Sequence, residues 1–207
     1  MTAPFVPALV AIALLWATAT SPVALADEGA GTDADADAGA ADAAPEGRAG
    51  SLDALFESLA EARAPAEARR LESEIWRVWL DAPDEDAALL MGAVQRAMAA
   101  GEAERALGLA DRLVALAPDY AEGWNKRATI LYVMGDDDAS VADIRETLAR
   151  EPRHFGAISG LGQIFLRRGE PARALEAFEA VLRLSPASPN ARAAVELARA
   201  AIDERRI

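Results

Sequence analysis

From residue 51 onward, apolar side chains recur at helical spacing. Leu52, Leu55, Phe56 and Leu59 fall at i, i+3, i+4 and i+7, which marks one buried helix face. Ser51 just ahead of them is the expected N-cap. Pro65 permits a new helix start, and Leu71, Ile75, Val78 and Trp79 form its apolar face until Pro83 closes the pair. Residues 51–83 therefore read as an irregular helix pair, with no glycine at its turn. Trp76 and Trp79 lie three apart on that second helix and can meet on one side of it. Packing against the next helix is the expected use of that pair, ahead of a stacked aromatic binding patch.

Three regular pairs follow, at 87–118, 121–152 and 155–186. Gly101, Gly135 and Gly169 stand 34 residues apart, and so do Pro118, Pro152 and Pro186. Gly is about 7% and Pro about 5% of average proteins, so such a set has odds of roughly one in a hundred thousand per register. The period is not chance. In the last pair Ile158, Leu161, Gly162 and Phe165 share one helix, Gly169 turns the chain, and Pro171 opens a second helix with Ala174, Phe178, Val181 and Leu182. The middle pair carries Trp124, Ala128 and Leu131, then Ser140, Ile144 and Leu148 at matching places. After Pro186, Ser188 and Pro189 supply an N-cap and first turn for a final helix rich in Ala, Glu and Arg.

These residues resemble the tetratricopeptide repeat (TPR) family, whose unit reads W-x2-L-G-x2-Y, A-x3-F and a closing Pro over 34 residues. The resemblance implies an all-α fold: a right-handed superhelix of antiparallel helix pairs, with a C-terminal capping helix over 188–204 that solvates the end of the stack. Two departures stand out. Arg127 replaces the usual Leu, so its stem is expected over apolar surface with the guanidinium reaching water or a carboxylate. The first regular pair has Ala93, Val94, Ala97 and Ala110 where larger groups are usual, which predicts a thinner layer.

The amino end has a different character. Residues 1–26 carry no charged side chain, their apolar stretch is too short to span a bilayer, and Ala24-Leu25-Ala26 offers small residues for cleavage; a signal peptide is expected. Residues 27–50 form an acidic linker of Asp, Ala and Gly, expected to be disordered because it has too little apolar surface to offset the entropy of ordering. Asp33, Asp35 and Asp37 alternate as calcium-loop ligands do. Ala38 and Ala44, however, stand where the loop needs its Gly and its bidentate Glu.

Composition narrows the function. The net charge of −13 opposes nucleic-acid binding, since phosphates demand a basic face. There is no cysteine, so thiolate chemistry and disulfides are excluded. A single histidine, His154, cannot build a histidine-rich metal site. Gly156-Ala157-Ile158-Ser159-Gly160 lacks the spacing and the strand of a nucleophile elbow. Asp136, Asp137 and Asp138 fall at a helix start, where acids favour the macrodipole. Arg153 and His154 at a repeat junction could bind an anion, but read more simply as a capped turn. No enzyme, cofactor or metal site is expected.

The TPR resemblance also implies a binding face, because the first helix of each pair lines the concave side. Its exposed residues are expected to be Met91, Gln95 and Met98, then Asn125, Thr129 and Tyr132, then Ser159, Gln163 and Leu166. This set is uncharged and mildly apolar. TPR adaptors that clamp a peptide carboxylate use Lys and Asn from successive first helices; here Met91, Gln95, Lys126, Gly156 and Gly160 hold those places, and only Lys126 could contribute. The resulting expectation is a non-catalytic protein-binding adaptor or scaffold of the bacterial cell envelope, taking a peptide or protein segment in its groove. The alternative is a permanent structural or assembly subunit of a larger envelope complex. The expected location is periplasmic, or anchored to the inner membrane if the signal segment stays attached.

Overall fold

In the computed structural model, which describes residues 45–205, all regular structure is α-helical: α1 (Pro45–Glu61), α2 (Pro65–Leu80), α3 (Glu85–Ala99), α4 (Ala103–Leu116), α5 (Ala121–Met134), α6 (Asp137–Arg150), α7 (Phe155–Arg167), α8 (Pro171–Leu184) and α9 (Pro189–Glu204). Two kinds of turn, repeated every 34 residues, explain why the helices stop where they do. Within each pair a glycine takes a left-handed backbone, with φ of 74° at Gly101, 88° at Gly135 and 71° at Gly169. A side chain is unfavourable there. The next amide then reaches back across the helix end: Glu102 to the Ala97 carbonyl (3.0 Å), Asp136 to Leu131 (2.9 Å) and Glu170 to Phe165 (2.7 Å). These bonds satisfy carbonyls the helix leaves open.

Between pairs the proline makes the second turn. Tyr120 N–H bonds the Ala117 carbonyl (3.1 Å), His154 bonds Glu151 (3.1 Å) and Ser188 bonds Ser185 (3.0 Å), with Pro118, Pro152 and Pro186 at the second position each time. Proline suits that position because its φ is already set. The last residue of each turn is also the N-cap of the next helix. His154 and Ser188 cap with their side chains, accepting from Ala157 N–H (3.1 Å) and Ala191 N–H (3.4 Å). Pro65, Pro171 and Pro189 open α2, α8 and α9, where the missing N–H costs nothing.

Inside a pair, small residues admit large ones. A Cβ built on Gly162 would lie 2.7 Å from Phe178 Cζ. The helices α7 and α8 meet closely because that position is bare. The pair α3–α4 packs through Ala87, Val94, Ala97, Ala106 and Ala110, the small-residue layer that its sequence predicts.

The first pair departs from expectation. Helix α1 begins at Pro45, six residues before Ser51, so Ser51 lies inside the helix and is not its N-cap; proline is itself a favoured helix opener. Residues 45–50, expected in the linker, belong to this helix. The expected signal segment 1–26 and the linker over 27–44 lie outside the described residues. The pair α1–α2 also does not continue the stack through α3. The first helices of successive regular pairs touch, α3 on α5 and α5 on α7, while α2 touches α5 and α1 touches α8. One core joins Phe56 and Leu59 of α1, Ile75 and Trp79 of α2, Phe155 of α7 and Val181 of α8. The tryptophans do pack, as expected, but against the third regular pair instead of the next helix. Among the described residues no helix is long and apolar enough to cross a membrane.

Candidate functional site

The expected groove residues form three rows, each at the 34-residue spacing, and the rows differ sharply. Gln95, Thr129 and Gln163 make the open row: the first two are exposed and the third half-buried. Met98, Tyr132 and Leu166 are all half-buried. Met98 and Leu166 lean on the cores beside them, and Tyr132 packs against the cluster of Ala128, Ile144, Ala157 and Ile164. The Arg167 guanidinium sits 3.8 Å over the Tyr132 ring, a cation–π contact, so Tyr132 offers only part of its surface.

The remaining row corrects the sequence reading. Met91 is 4% exposed, and Asn125 6%. Met91 fills the space among Ala87, Leu113, Ala117 and Tyr120, where a thin alanine layer leaves room for one long flexible side chain. Asn125 turns inward and donates from Nδ2 to Glu122 Oε2 (2.8 Å). Ser159, the third member, stays half-buried. Neither Met91 nor Asn125 is available to a partner.

Asn125 is drawn in by a buried polar cluster under α2. Glu122 and His154 both have side chains with no exposure, and His154 Nε2 lies 3.0 Å from Glu122 Oε2. Since His154 Nδ1 accepts from Ala157 N–H, the ring proton sits on Nε2 and is donated to the carboxylate. Lys126 Nζ stands 2.9 Å from Glu122 Oε1. Burial pushes the Glu122 carboxyl up, but the Lys126 charge and the His154 hydrogen bond outweigh it and hold the group at about 2. Above the cluster, the Trp79 indole stacks on the imidazole with centroids 4.0 Å apart, and Trp76 meets it edge-on at 5.4 Å. Trp76 fits because Gly156 is bare: a Cβ there would lie 2.6 Å from Trp76 Cη2.

A carboxylate–histidine pair with a displaced pKa is the kind of group that marks catalytic sites. Here no substrate can reach it, since two indoles cover it and neither polar side chain meets solvent. Its chemistry is spent on docking α2 against α5 and α7. Lys126, the one residue expected to contribute to a carboxylate clamp, is held by Glu122 and lies 5.5 Å over the Trp76 ring. Sequence reading missed Glu122 altogether, and nothing local to it signals a histidine 32 residues on. His154 does form the capped turn expected of it.

The outer side of the stack is tied by arginines. Arg127 grips Asp143 with two bonds (2.7 and 2.8 Å) and reaches Asp111 (3.0 Å), the carboxylate contact expected from its departure from the repeat pattern. Asp136 caps α6 through Ala139 N–H (3.0 Å), and Asp137 and Asp138 pair with Arg167 and Arg168. Among the described residues no three acids or histidines are grouped to hold a metal ion. Two further ties fasten the first pair: Ser185 Oγ donates to Glu72 Oε1 (2.8 Å), and Arg153 pairs with Asp53 (2.8 Å).

The tetratricopeptide repeat family model matches residues 125–189 and 159–206. A TPR repeat-containing protein of Rhizobium etli is 39% identical over 146 residues, which is 70% of this chain and 72% of that one. Among solved structures, the first TPR of Spaghetti (RPAP3), bound to an HSP90 peptide, superposes with a TM-score of 0.54 at 17% identity, covering 56% of this chain and 93% of that one. The MamA protein gives 0.53 at 18% identity, covering 74% and 84%. At that identity the two structures are similar in fold.

Proposed function

The chain belongs to the tetratricopeptide repeat family, and from that premise we propose that it is a non-catalytic adaptor binding one protein segment along the row Gln95–Thr129–Gln163. The observation that carries this reading is the contrast between rows. The amino-terminal ends of α5 and α7 are covered by the chain's own α1–α2 pair, while Gln95 and Thr129 of this polar row are exposed beside Met98, Tyr132 and Leu166. Amide and hydroxyl groups over a mildly apolar border bind backbone and neutral side chains and offer nothing to pair a charge. A similar fold holds an HSP90 peptide in the RPAP3 domain. In this chain the groove lysine is already spent on Glu122, so the contacting stretch of the partner is uncharged.

The same proposal places the protein in the bacterial envelope, exported by residues 1–26. Its support is the uncharged apolar leader with Ala24-Leu25-Ala26 at its end.

A photo-crosslinking amino acid at Thr129 or Gln163, compared with one at exposed Ala200 on α9, tests the binding face in native cells. One discrete protein adduct at the first two sites, absent at Ala200, is the expected result. Equal labelling at all three, or none at the row, contradicts it.

A further inference from the structure

The outer clefts of the stack, between one second helix and the next, show a pattern with one break in it. Asp111 on α4, Arg145 on α6 and Glu179 on α8 occupy the same repeat position, 34 residues apart. In the first cleft Asp111 is bridged by Arg127 from the facing helix α5 (3.0 Å). In the last, Glu179 is bridged by Arg199 from α9 (3.4 Å). In the middle cleft the charge is reversed. The second helix supplies the cation, Arg145, and the facing helix α7 supplies Leu161 where α5 has Arg127, and Phe165 where α9 has Arg199. Arg145 makes no hydrogen bond or ion pair among the described residues.

A pocket of about 160 Å³ takes the place of the missing bridge, with Ile144, Leu161 and Phe165 among its apolar walls and Arg145, Arg168 and Arg173 around it. A cavity of roughly 150 Å³ holds a benzene-sized group, so this one accepts a single Leu or Phe side chain. Its rim is cationic in a chain of net charge −13. Arg168 and Arg173 are partly balanced by Asp138 and Glu170; Arg145 is not balanced, and no acid lines the pocket.

We propose that this middle cleft is a second docking site, distinct from the concave row, for a protein segment that seats one Leu or Phe against the half-buried Leu148 and Leu161 and sets an adjacent carboxylate on Arg145. The incoming acid restores from outside the bridge that the neighbouring clefts make internally. Charge-assisted bonds of guanidinium to carboxylate supply the direction. Burial of the apolar side chain supplies most of the affinity.

The test uses the full-length protein, labelled with ¹⁵N, titrated with the tripeptide acetyl-Glu-Leu-Glu amide. Its controls are acetyl-Gln-Leu-Gln amide and acetyl-Glu-Gly-Glu amide. Saturable shifts are expected at Leu148, Leu161 and the Arg145 side chain with the first peptide, and at least fivefold weaker binding of each control. Arg145→Glu should abolish the shifts and Arg145→Lys should retain them. Arg145→Asp combined with Leu161→Arg, which rebuilds the neighbouring clefts' bridge, should also close the site while the melting curve stays cooperative. Equal response to all three peptides, undiminished binding by Arg145→Glu, or shifts confined to Thr129 and Gln163 would each overturn the proposal.

Discussion

The imidazole of His154 lies nearly parallel to the indole of Trp79, with an interplanar angle of 12°. Trp79 belongs to the first helix pair and His154 to the turn that opens the third regular one. This stack seals the Glu122 cluster and sets where α2 sits, so the variants that probe it report on the docking of α1–α2.

Gly156→Leu is the sharpest such variant. Even its Cβ would fall 2.6 Å from the Trp76 ring, so α2 must lift or the ring must leave its place. Overpacking of this kind costs about 1–3 kcal/mol. Thermal melting should show the loss, and tryptophan fluorescence should show greater access to a soluble quencher. Unchanged values in both would mean that Trp76 is not there.

Stability should also depend on pH through Glu122. Its carboxyl titrates at 4.5 in the ordinary state and at about 2 when folded. The folded state holds the charged form better, so the contribution is full above 4.5 and is lost as pH falls toward 2. Urea unfolding of the wild type and Glu122→Gln should differ most at pH 7, with the gap narrowing steadily below pH 4.5. A gap independent of pH would show that the buried carboxylate is not ionised.

Much of the fold was legible in the sequence because its signals are local. A left-handed turn needs glycine and a fixed-φ turn accepts proline, so both 34-residue ladders read directly as helix ends. Gly162 was legible as a small residue on the apolar face of its helix, while its partner Phe178 is given by the packing. The docking of α1–α2 was not. Periodicity says which face of a helix is apolar, never which distant layer covers it, and Trp79 meets its partner across a long stretch of chain. The groove failed by the same cause at Asn125, which Glu122 draws inward, while Thr129, one turn further along, is exposed and Gln163 is half-buried.

Within the third regular pair, Gly162→Leu drives a branched side chain into the Phe178 ring, and a loss of about 1–3 kcal/mol is expected. Phe178→Ala, which empties a buried site, should cost roughly 3–5 kcal/mol. Chemical denaturation of the two variants checks both values. If Gly162→Leu melts as the wild type does, α7 and α8 are not packed through that position.

Export predicts a mature chain that begins at Asp27. Intact-mass measurement of protein recovered from the native envelope should show residues 27–207. A species that retains Trp16 would contradict cleavage, and a cytosolic pool would contradict export.

The chain's own first helix pair doubles back to cover the amino-terminal ends of α5 and α7. Proton–proton NOEs of the Trp76 indole test this most directly. Cross-peaks from Trp76 ring protons to the Gly156 α-protons, with Trp79 to His154 alongside, are the expected result. Cross-peaks from both tryptophans to Leu89 and Ala93 of α3 instead, the pattern of a simple sequential stack, would contradict it.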